Sequence, residues 1–491
     1  MKTLHIFVLH VCLGIVPATA LAADGVVVGI EQEPPHLDPT SAGAGAIDQV
    51  LYGNVYEGLT RFGPNGEVMA GLAESWTVSG SGTEYIFRLR DAVTFHDGTT
   101  LDARDVKFTL ERARDDSGQN AQKSLFDGIK AVDVLGDRVV KVTLVEPEGD
   151  FLFNLAWGDA VILGPESIGE IKQRPVGTGA FRFREWVAGE KIVLERYDEY
   201  WGEPAKLETA TFRFIAEPGV ASAALRAGEI DVIPAFPSLQ NLPEFEADPR
   251  FQVLVGSTES ETILAMNNKQ PPLDNPLVRR AIAHAIDRQA LIEEGMFGLG
   301  TPIGTHFAPH RPEYLDLTEI STYDPALSVQ LLAEAGEEAG FAVTLKLPPP
   351  DYLRRCAEIL AGQLRDVGIE VEIITLSWPE WTEQVFQEKE FDLTVVSHNE
   401  PLDIGIYADP DYYFQYEGLA FQAVMRELKA VSNATKRRDW LAAAQKLIAD
   451  DYVNAFLFQL PAVTVADARL RGLWRNAPVQ ATDLTGAYWE N

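Results

Sequence analysis

The residue types that carry enzyme chemistry occur in this chain, but their spacing does not assemble a reactive site. Neither a Gly-x-Ser-x-Gly elbow nor a His-Glu-x-x-His motif is present. Gly177-Thr178-Gly179 lacks the lysine and the helix start of a phosphate-binding loop, so we expect a backbone turn there. Carboxylates are abundant, and their number alone is no sign of a hydrolytic acid pair. The motifs therefore favour noncovalent binding over catalysis.

His306 and His310 are the histidine pair with the closest approach to metal-ligand spacing. Pro309 and Pro312 argue against a helix here, so the two rings need not share a face. A protein metal site usually needs three or more convergent donors. We therefore predict no metal ion, and nothing in the sequence calls for a cofactor.

The first residues predict export. Lys2 precedes an apolar stretch over residues 6–16, and Ala20-Leu21-Ala22 has the small residues that a signal peptidase requires. We assign residues 1–22 to a signal peptide, because the apolar stretch is shorter than the roughly 20 residues that span a bilayer. Cys12 lies inside that stretch rather than at the start of the mature chain, so we expect no lipid anchor. The predicted location is the periplasm.

Composition indicates a globular chain of more than one lobe. The 491 residues are 46% hydrophobic, too many residues for a single core. The formal net charge of −32 argues against nucleic acid and against an anionic membrane surface as partners. Cys356 is the one cysteine of the mature chain, so core burial rather than a disulfide must stabilise it.

Hydrophobic periodicity predicts mixed α/β structure. Gly25–Ile30 is typical of a buried strand, whereas residues 83–89 and 139–144 alternate as in an antiparallel sheet. Asp102 is a helix cap over residues 102–110, and Asn275-Pro276 begins a helix that we expect to end near Gly295.

The segment 343–396 alternates between strand and helix patterns. Strands are predicted at 343–347, 371–376 and 391–396, separated by a helix that ends at Gly368 and another at about 379–388. Such alternation implies crossover connections and a parallel sheet covered by helices.

A series of short motifs follows in one order along the mature chain, and the ordered set resembles the family 5 bacterial extracellular solute-binding proteins. That family includes oligopeptide, dipeptide, nickel and opine receptors. The family usually has proline after its Gly-Thr-Gly, where this chain has Ala180. The motifs are Leu37-Asp38-Pro39, Val55-Tyr56-Glu57-Gly58-Leu59, Gly71-Leu72-Ala73-Glu74-Ser75-Trp76, Val93-Thr94-Phe95-His96-Asp97-Gly98, Pro175-Val176-Gly177-Thr178-Gly179, Tyr200-Trp201-Gly202, Gly228-Glu229-Ile230-Asp231-Val232, Val278-Arg279-Arg280-Ala281-Ile282 and Ala285-Ile286-Asp287-Arg288.

The resemblance implies a two-lobe periplasmic-binding fold of the second topological type, with mixed sheets flanked by helices. Lobe I would comprise residues 23–265 and 466–491, with an extra subdomain near 49–150, and lobe II residues 266–465. The implied function is that of the substrate-binding component of an ABC importer. A monomer with no membrane anchor would capture a peptide or peptide-like polar solute and deliver it to permease subunits at the inner membrane.

The resemblance also implies ligand contacts in lobe I. In peptide-binding relatives the loop after the first strand pairs with the ligand backbone, which here places Gln32, Glu33 and Pro34 at the ligand. Two prolines, Pro34 and Pro35, remove two backbone donors. Peptide pairing is therefore expected to be poorer than in those relatives.

In lobe II the relatives hold the ligand ammonium with an acid in a Gly-Trp-x-x-Asp type segment. The corresponding residues here are His398 and Asn399, with Glu400 or Asp403 as the acid, and both assignments stay open. Trp378 is expected as an aromatic wall beside the ligand, and Tyr407 as part of a pocket floor. The loop at 348–352 lacks the arginine of dipeptide receptors, which argues against strict dipeptide specificity.

The sequence leaves two alternative functions open. The same fold could bind a metal chelate, an opine or an oligosaccharide instead of a peptide. A secreted hydrolase that uses scattered carboxylates is the alternative from a different class, and the absence of a visible reactive site disfavours it.

Overall fold

The computed structural model describes residues 25–490 apart from 42–44, 116, 117, 119, 121, 401, 430 and 432. The predicted signal peptide at 1–22 lies outside the described residues. Within that part of the chain, every helix is too short or too polar to cross a bilayer.

The strands of the described residues vary in length, from several two-residue strands to two long ones. In chain order they are β1 (Gly25–Ile30), β2 (Thr60–Phe62), β3 (Val68–Ala70), β4 (Ala73–Val78), β5 (Glu84–Leu89), β6 (Ile129–Gly136), β7 (Val139–Leu144), β8 (Phe181–Val187), β9 (Lys191–Arg196), β10 (Thr209–Phe214), β11 (Val232–Ile233), β12 (Phe251–Met266), β13 (Thr301–Pro302), β14 (Phe341–Leu347), β15 (Ile369–Thr375), β16 (Leu393–His398), β17 (Asn454–Asp467), β18 (Leu470–Arg471) and β19 (Tyr488–Trp489).

The α-helices range from single turns to the 17 residues of the last one. They are α1 (Gly45–Leu51), α2 (Ala103–Ala113), α3 (Phe151–Asn154), α4 (Pro218–Ala227), α5 (Leu242–Glu246), α6 (Pro276–His284), α7 (Arg288–Ala290), α8 (Pro325–Ala335), α9 (Asp351–Asp366), α10 (Trp378–Trp381), α11 (Leu419–Lys429) and α12 (Ala434–Asp450). Short 3-10 or π turns lie at Lys123–Phe126, Gly158–Ala160, Leu239–Asn241, Leu291–Gly295, Thr318–Ser321, Thr382–Gln387 and Asp403–Ala408.

Most strands belong to one large mixed sheet, in the order β15-β14-β16-β12-β17-β11-β1-β10-β9-β8. We call β11, β1, β10, β9 and β8 the N-terminal half-sheet, and β15, β14 and β16 the C-terminal half-sheet. The predicted parallel pairing is confirmed, because β14 runs parallel to both β15 and β16. β16 pairs antiparallel with β12, so the sheet as a whole is mixed.

The long strands β12 and β17 join the two half-sheets. Residues 251–257 of β12 pair with 461–467 of β17, and residues 261–265 pair with 454–459. The register shifts between Ser257 and Glu261, so the ladder is interrupted where one half-sheet passes into the other. The Thr258 hydroxyl donates to the Leu460 carbonyl at 3.0 Å across this interruption.

Separate hydrophobic cores fill the two halves. One lies around β1 and β10 and includes Val28 and Phe212, both without exposed surface. Another lies between the C-terminal half-sheet and α9, whose buried residues at i, i+3, i+4 and i+7 spacing form one apolar face. A third core packs α2 against the antiparallel sheet β4-β5-β7-β6.

Several predicted elements are confirmed at residue level. The Asp102 side chain caps α2 within a capping box, and the Asn275 side chain caps α6 by accepting from the Leu277 N–H. The predicted end of that second helix near Gly295 is wrong. α6 ends at His284, Asp287 caps the short α7, and a π turn covers Leu291–Gly295.

The Gly177-Thr178-Gly179 turn packs against the segment after α1. A Cβ on Gly177 would lie 2.0 Å from the Val55 carbonyl oxygen, and one on Gly179 would lie 2.3 Å from that of Asn54. Only glycine permits this close backbone approach. The motif is a packing turn, as the sequence predicts, and its threonine hydroxyl donates to buried Glu57 at 2.8 Å.

Candidate functional site

A cavity of about 670 Å³ lies between the two halves of the molecule, a size typical of small-molecule sites. The N-terminal half contributes the loop after β1, one side of α1, the Trp157–Asp159 turn and residues 233–237. The interruption in β12 contributes residues 258–260, and the chain near the C-terminus contributes 477–482. The C-terminal half-sheet contributes Asn399 and Glu400, directly after β16.

Strand topology explains why these loops converge. β1 is parallel to β10 and β11, so the carboxyl ends of these strands meet at one edge of the sheet. Ligands of open α/β sheets bind at this edge. Glu31 and Gln32 follow β1 there, while Asn399 and Glu400 follow β16 on the opposite side of the cavity.

The charge on the cavity wall is of one sign. Its charged residues among the described lining are Glu31, Asp48, Asp159, Glu259 and Glu400, with no lysine, arginine or histidine. Glu259 already has partners within the protein, because its Oε1 accepts hydrogen bonds from His310 Nε2 at 2.9 Å and Arg311 Nη1 at 3.0 Å. In the part of the chain that the structure describes, the other four carboxylates have no ion-pair partner.

Asp48 and Asp159 come from different segments and meet at the cavity. The apolar residues of α1 face the core while Asp48 remains on the cavity side, and Asp159 lies in the Gly158–Ala160 turn. Burial, together with the Asp159 charge, raises the pKa of Asp48 to about 8. Burial, together with the Asp38 charge, raises the pKa of Asp159 to about 7. Asp48 and Asp159 therefore favour their protonated forms more than ordinary aspartates do near neutral pH.

A buried ion-pair network lies behind the Asn399–Glu400 wall. His306 Nε2 lies 2.5 Å from Asp403 Oδ1 and 3.0 Å from Glu261 Oε1. Burial alone would lower the pKa of His306, but the two carboxylates outweigh it and raise that pKa to about 10. Burial opposes ionisation of Asp403, yet His306 lowers its pKa below the ordinary value. His306 is therefore an imidazolium held between two acids.

His398, His306 and Asp403 are the group of described residues that could surround a metal ion, with ligand atoms within 4.8 Å of one another. The 2.5 Å separation of His306 Nε2 from Asp403 Oδ1 is a hydrogen-bond distance and holds a proton. We therefore assign the group as a charge-assisted hydrogen bond. His310 is hydrogen-bonded to Glu259 instead, so His306 and His310 contact different carboxylates.

The structure brings three of the nine sequence-predicted ligand residues to the cavity: Gln32, Asn399 and Glu400. Glu33 points elsewhere, because its carboxylate accepts from Trp186 Nε1–H at 2.8 Å and from the Gly189 N–H. Pro34 is buried and lies outside the cavity lining. The expectation that the whole 32–34 loop faces a ligand needs correction, since Glu33 ties the loop to the β8–β9 turn.

The remaining predicted residues lie behind the wall or away from it. Asp403 is engaged by His306, and His398 Nε2 lies 3.0 Å from the Tyr413 hydroxyl. Tyr407 has no exposed surface and stacks on Phe414 in the core, so it does not form part of the cavity wall. Trp378 is 48% exposed at the start of α10 and lies outside the described cavity lining.

Sequence reasoning missed Asp48, Asp159 and Trp157 on the cavity wall. A weak signal exists for each acid. Asp159 interrupts the apolar run from Phe151 to Leu163, and Asp48 interrupts an apolar helix. A lone acid in an apolar segment needs a partner or a function.

Comparison with known proteins identifies the family. A family model described as bacterial extracellular solute-binding proteins, family 5 Middle, matches residues 67–418. This chain belongs to that family. The family and the solute-binding function predicted from the motifs are therefore confirmed.

Curated relatives of this family 5 protein are binding proteins. The chain is 30% identical over 373 residues to the glutathione-binding protein GsiB of Pectobacterium atrosepticum, which covers 74% of this chain and 72% of that protein. It is 30% identical over 376 residues to the GsiB of Escherichia coli strain K12, covering 75% and 72%.

Solved structures confirm the two-lobe fold. HbpA2 from Haemophilus parasuis superposes with a TM-score of 0.85 at 24% identity, covering 95% of this chain and all of that one. The unliganded open form of the periplasmic murein tripeptide-binding protein MppA gives 0.85 at 21% identity, covering 95% and 97%. The periplasmic binding protein DppA of Helicobacter pylori, in complex with the peptide STSA, gives 0.72 at 26% identity, covering 95% and 98%.

We predict that Asp48 makes stability depend on pH. Its pKa of about 8 in the folded chain exceeds the ordinary 3.8, so the folded state keeps a proton that the unfolded state loses. This stabilisation is complete below about pH 4 and is lost as pH rises towards 8. In the ligand-free protein, Asp48→Asn should match the wild-type melting temperature at pH 4 and exceed it by a few degrees at pH 8.

Differential scanning fluorimetry at pH 4, 6 and 8 measures this difference, with Asp137→Asn at an exposed position as the matched control. A constant offset between Asp48→Asn and the wild type across these pH values would contradict the assignment.

We predict that His306→Leu lowers the free energy of unfolding by about 3–5 kcal/mol, because Glu261 and Asp403 then lose their buried counter-cation. Urea unfolding at pH 7 measures the loss. A double-mutant cycle with Asp403→Asn should show strong coupling. Additive effects of the two substitutions would rule out the imidazolium bridge.

Proposed function

We propose that this solute-binding protein is the periplasmic component of an ABC importer and captures a peptide or peptide-like polar solute between its two lobes. The cavity between the half-sheets is the main support for this proposal, because its wall is built from both halves and its volume suits a small molecule. The names of the similar proteins GsiB, MppA and DppA, which describe binding of glutathione, murein tripeptide and peptide, support the ligand class.

Capture would occur by closure of the lobes about β12 and β17. The register interruption at Ser257–Glu261 supports a hinge there, because a continuous ladder would resist bending. We infer lobe boundaries near 258–260 and 460, slightly before the 265 and 465 expected from the resemblance. Lobe I then retains the extra subdomain built on β4 to β7 and α2.

Glu400 is our proposed anchor in lobe II for a ligand ammonium. The sequence offered two acids as candidates, and we prefer Glu400. Its side chain lines the cavity, whereas the Asp403 carboxylate is hydrogen-bonded to His306. Burial and the neighbouring Asp403 charge raise the pKa of Glu400, so an incoming ammonium would stabilise its ionised form. Gln32, across the cavity, supplies amide donors and acceptors.

The closed form would then dock on the permease subunits, and no covalent change of the solute is involved. The protein would act as a monomer without a membrane anchor. An opine or oligosaccharide as solute remains compatible with the fold but has no specific support in the cavity. No observation favours a hydrolase, because no nucleophile and base are paired at the cavity wall within the described residues.

We predict that Glu400→Gln weakens binding of trialanine with a free amino terminus about tenfold or more, because a charge-assisted hydrogen bond is lost. N-acetyl-trialanine, which has no ammonium, should bind the wild type and the variant with similar affinity. Isothermal titration calorimetry measures both.

Glu427→Gln, at an exposed position of α11 in the same lobe, is the matched control and should bind like the wild type. Equal affinity of Glu400→Gln and the wild type for free trialanine would remove Glu400 from the site. Failure of the wild type to bind any peptide would contradict the proposed ligand class.

A further inference from the structure

We propose that Asp48, Asp159 and Trp157 form a cation subsite, which binds an ammonium or guanidinium group of the solute in addition to the contact at Glu400. This inference rests on the proposed function and specifies its substrate class: solutes that carry a positively charged side group. The three residues lie together on the lobe I side of the cavity.

Asp159 supplies the observation that points most directly to a ligand. The residue is 2% exposed, and its Oδ1 has no hydrogen-bond partner among the described residues. A buried carboxylate oxygen without a partner is strongly unfavourable in a folded protein. Because Asp159 lines the cavity, an N–H donor on a bound solute can satisfy this oxygen.

Asp48 lies directly against the Asp159 turn. A Cβ on Gly158 would be 2.3 Å from Asp48 Oδ1, so the carboxylate packs on the glycine that precedes Asp159. Asp48 and Asp159 are therefore neighbours in the wall, and a proton or a cation beside them relieves the repulsion between two acids. The raised pKa values of both residues agree with a bound proton, which a cationic group would replace.

Trp157 provides an aromatic face beside the two acids. Its ring is fixed by edge-on contacts with Phe62 at 5.7 Å and Phe153 at 6.0 Å between ring centroids. A tryptophan face attracts ammonium and guanidinium groups. Gln49, Gln122 and Gln480 also line the cavity and offer amide oxygens as neutral acceptors. Together these groups match the donors of an organic cation.

The rest of the wall disfavours an anionic solute. The described lining contains no cationic side chain, and Arg354 and Arg355 are engaged elsewhere, by Glu358 and by the Gly295 carbonyl. Glutathione has two carboxylates and one ammonium, and its carboxylates would find no cationic partner in the described lining. The cavity therefore disfavours the ligand named for the GsiB relatives.

A divalent metal ion is less suited to the subsite than an organic cation. Calcium prefers six to eight oxygen ligands, and magnesium requires a near-octahedral set. Asp48 and Asp159 are only two carboxylates, and the described group of three metal-ligand side chains is the separate one around His306.

The test is a binding competition with charge-matched tripeptides. Wild-type protein is incubated with an equimolar pool of Ala-Lys-Ala, Ala-Arg-Ala, Ala-norleucine-Ala, Ala-Glu-Ala and glutathione, and the retained species are counted by native mass spectrometry. Lys and Arg peptides should be retained at least about tenfold over the norleucine peptide, whose side chain lacks only the charged group. Asp159→Asn should reduce this ratio to near one, and Asp137→Asn should leave it unchanged.

The outcomes separate this inference from the proposed function. Equal retention of the norleucine or glutamate peptide, or preference for glutathione, overturns the cation subsite while leaving peptide capture intact. If no peptide is retained, the proposed peptide capture is contradicted. Binding of 1,5-diaminopentane then tests the subsite alone. Retention of the diamine by the wild type but not by Asp159→Asn supports the subsite, whereas its absence overturns it. Competition of the Lys peptide by 1 mM Ca²⁺ would assign the acids to a metal ion and would also overturn the proposal.

Discussion

The pairing of β12 with β17 is the constraint on which the rest of the structure depends. These two strands are shared by both half-sheets, and the other strands of the large sheet belong to one half or the other, except for β13, which pairs with β17. The ladder is interrupted at Ser257–Glu261, where one half-sheet passes into the other. The cavity lies beside the interruption, and residues 258–260 form part of its wall. The interruption thus borders the cavity, and it is the place where we propose that the lobes bend.

Charge compensation divides the acids near this junction into two groups. Glu259 is matched by His310 and Arg311, while Glu261 and Asp403 share the His306 imidazolium. Within the described chain, the cavity acids Glu31, Asp48, Asp159 and Glu400 have no such partner. Glu31 and Glu400 are exposed, whereas Asp159 is buried, and desolvation of a lone buried charge is expensive. The paired acids therefore hold the wall in place, and the unpaired ones are available to a solute.

Local signals predicted the elements better than the site. Helix caps at Asp102 and Asn275 and the alternation over 343–396 depend on neighbouring residues alone, so sequence was sufficient for them. The family resemblance pointed to Gln32, Asn399 and Glu400 as ligand contacts, and these three residues line the cavity. Asp48 and Asp159 meet only through tertiary packing, which no local pattern encodes. The burial of Tyr407 could not be predicted either, because an aromatic ring suits a core and a ligand wall equally.

We propose that a solute binds between the lobes against unpaired carboxylates. A crystal structure of the protein with the solute that it carries when purified from its own host tests this most directly. We expect electron density in the cavity, in contact with residues from both lobes, with a cationic group of the solute within hydrogen-bond distance of Asp159. A solute bound outside the cavity, or one that presents a carboxylate to Asp48 and Asp159, would contradict it.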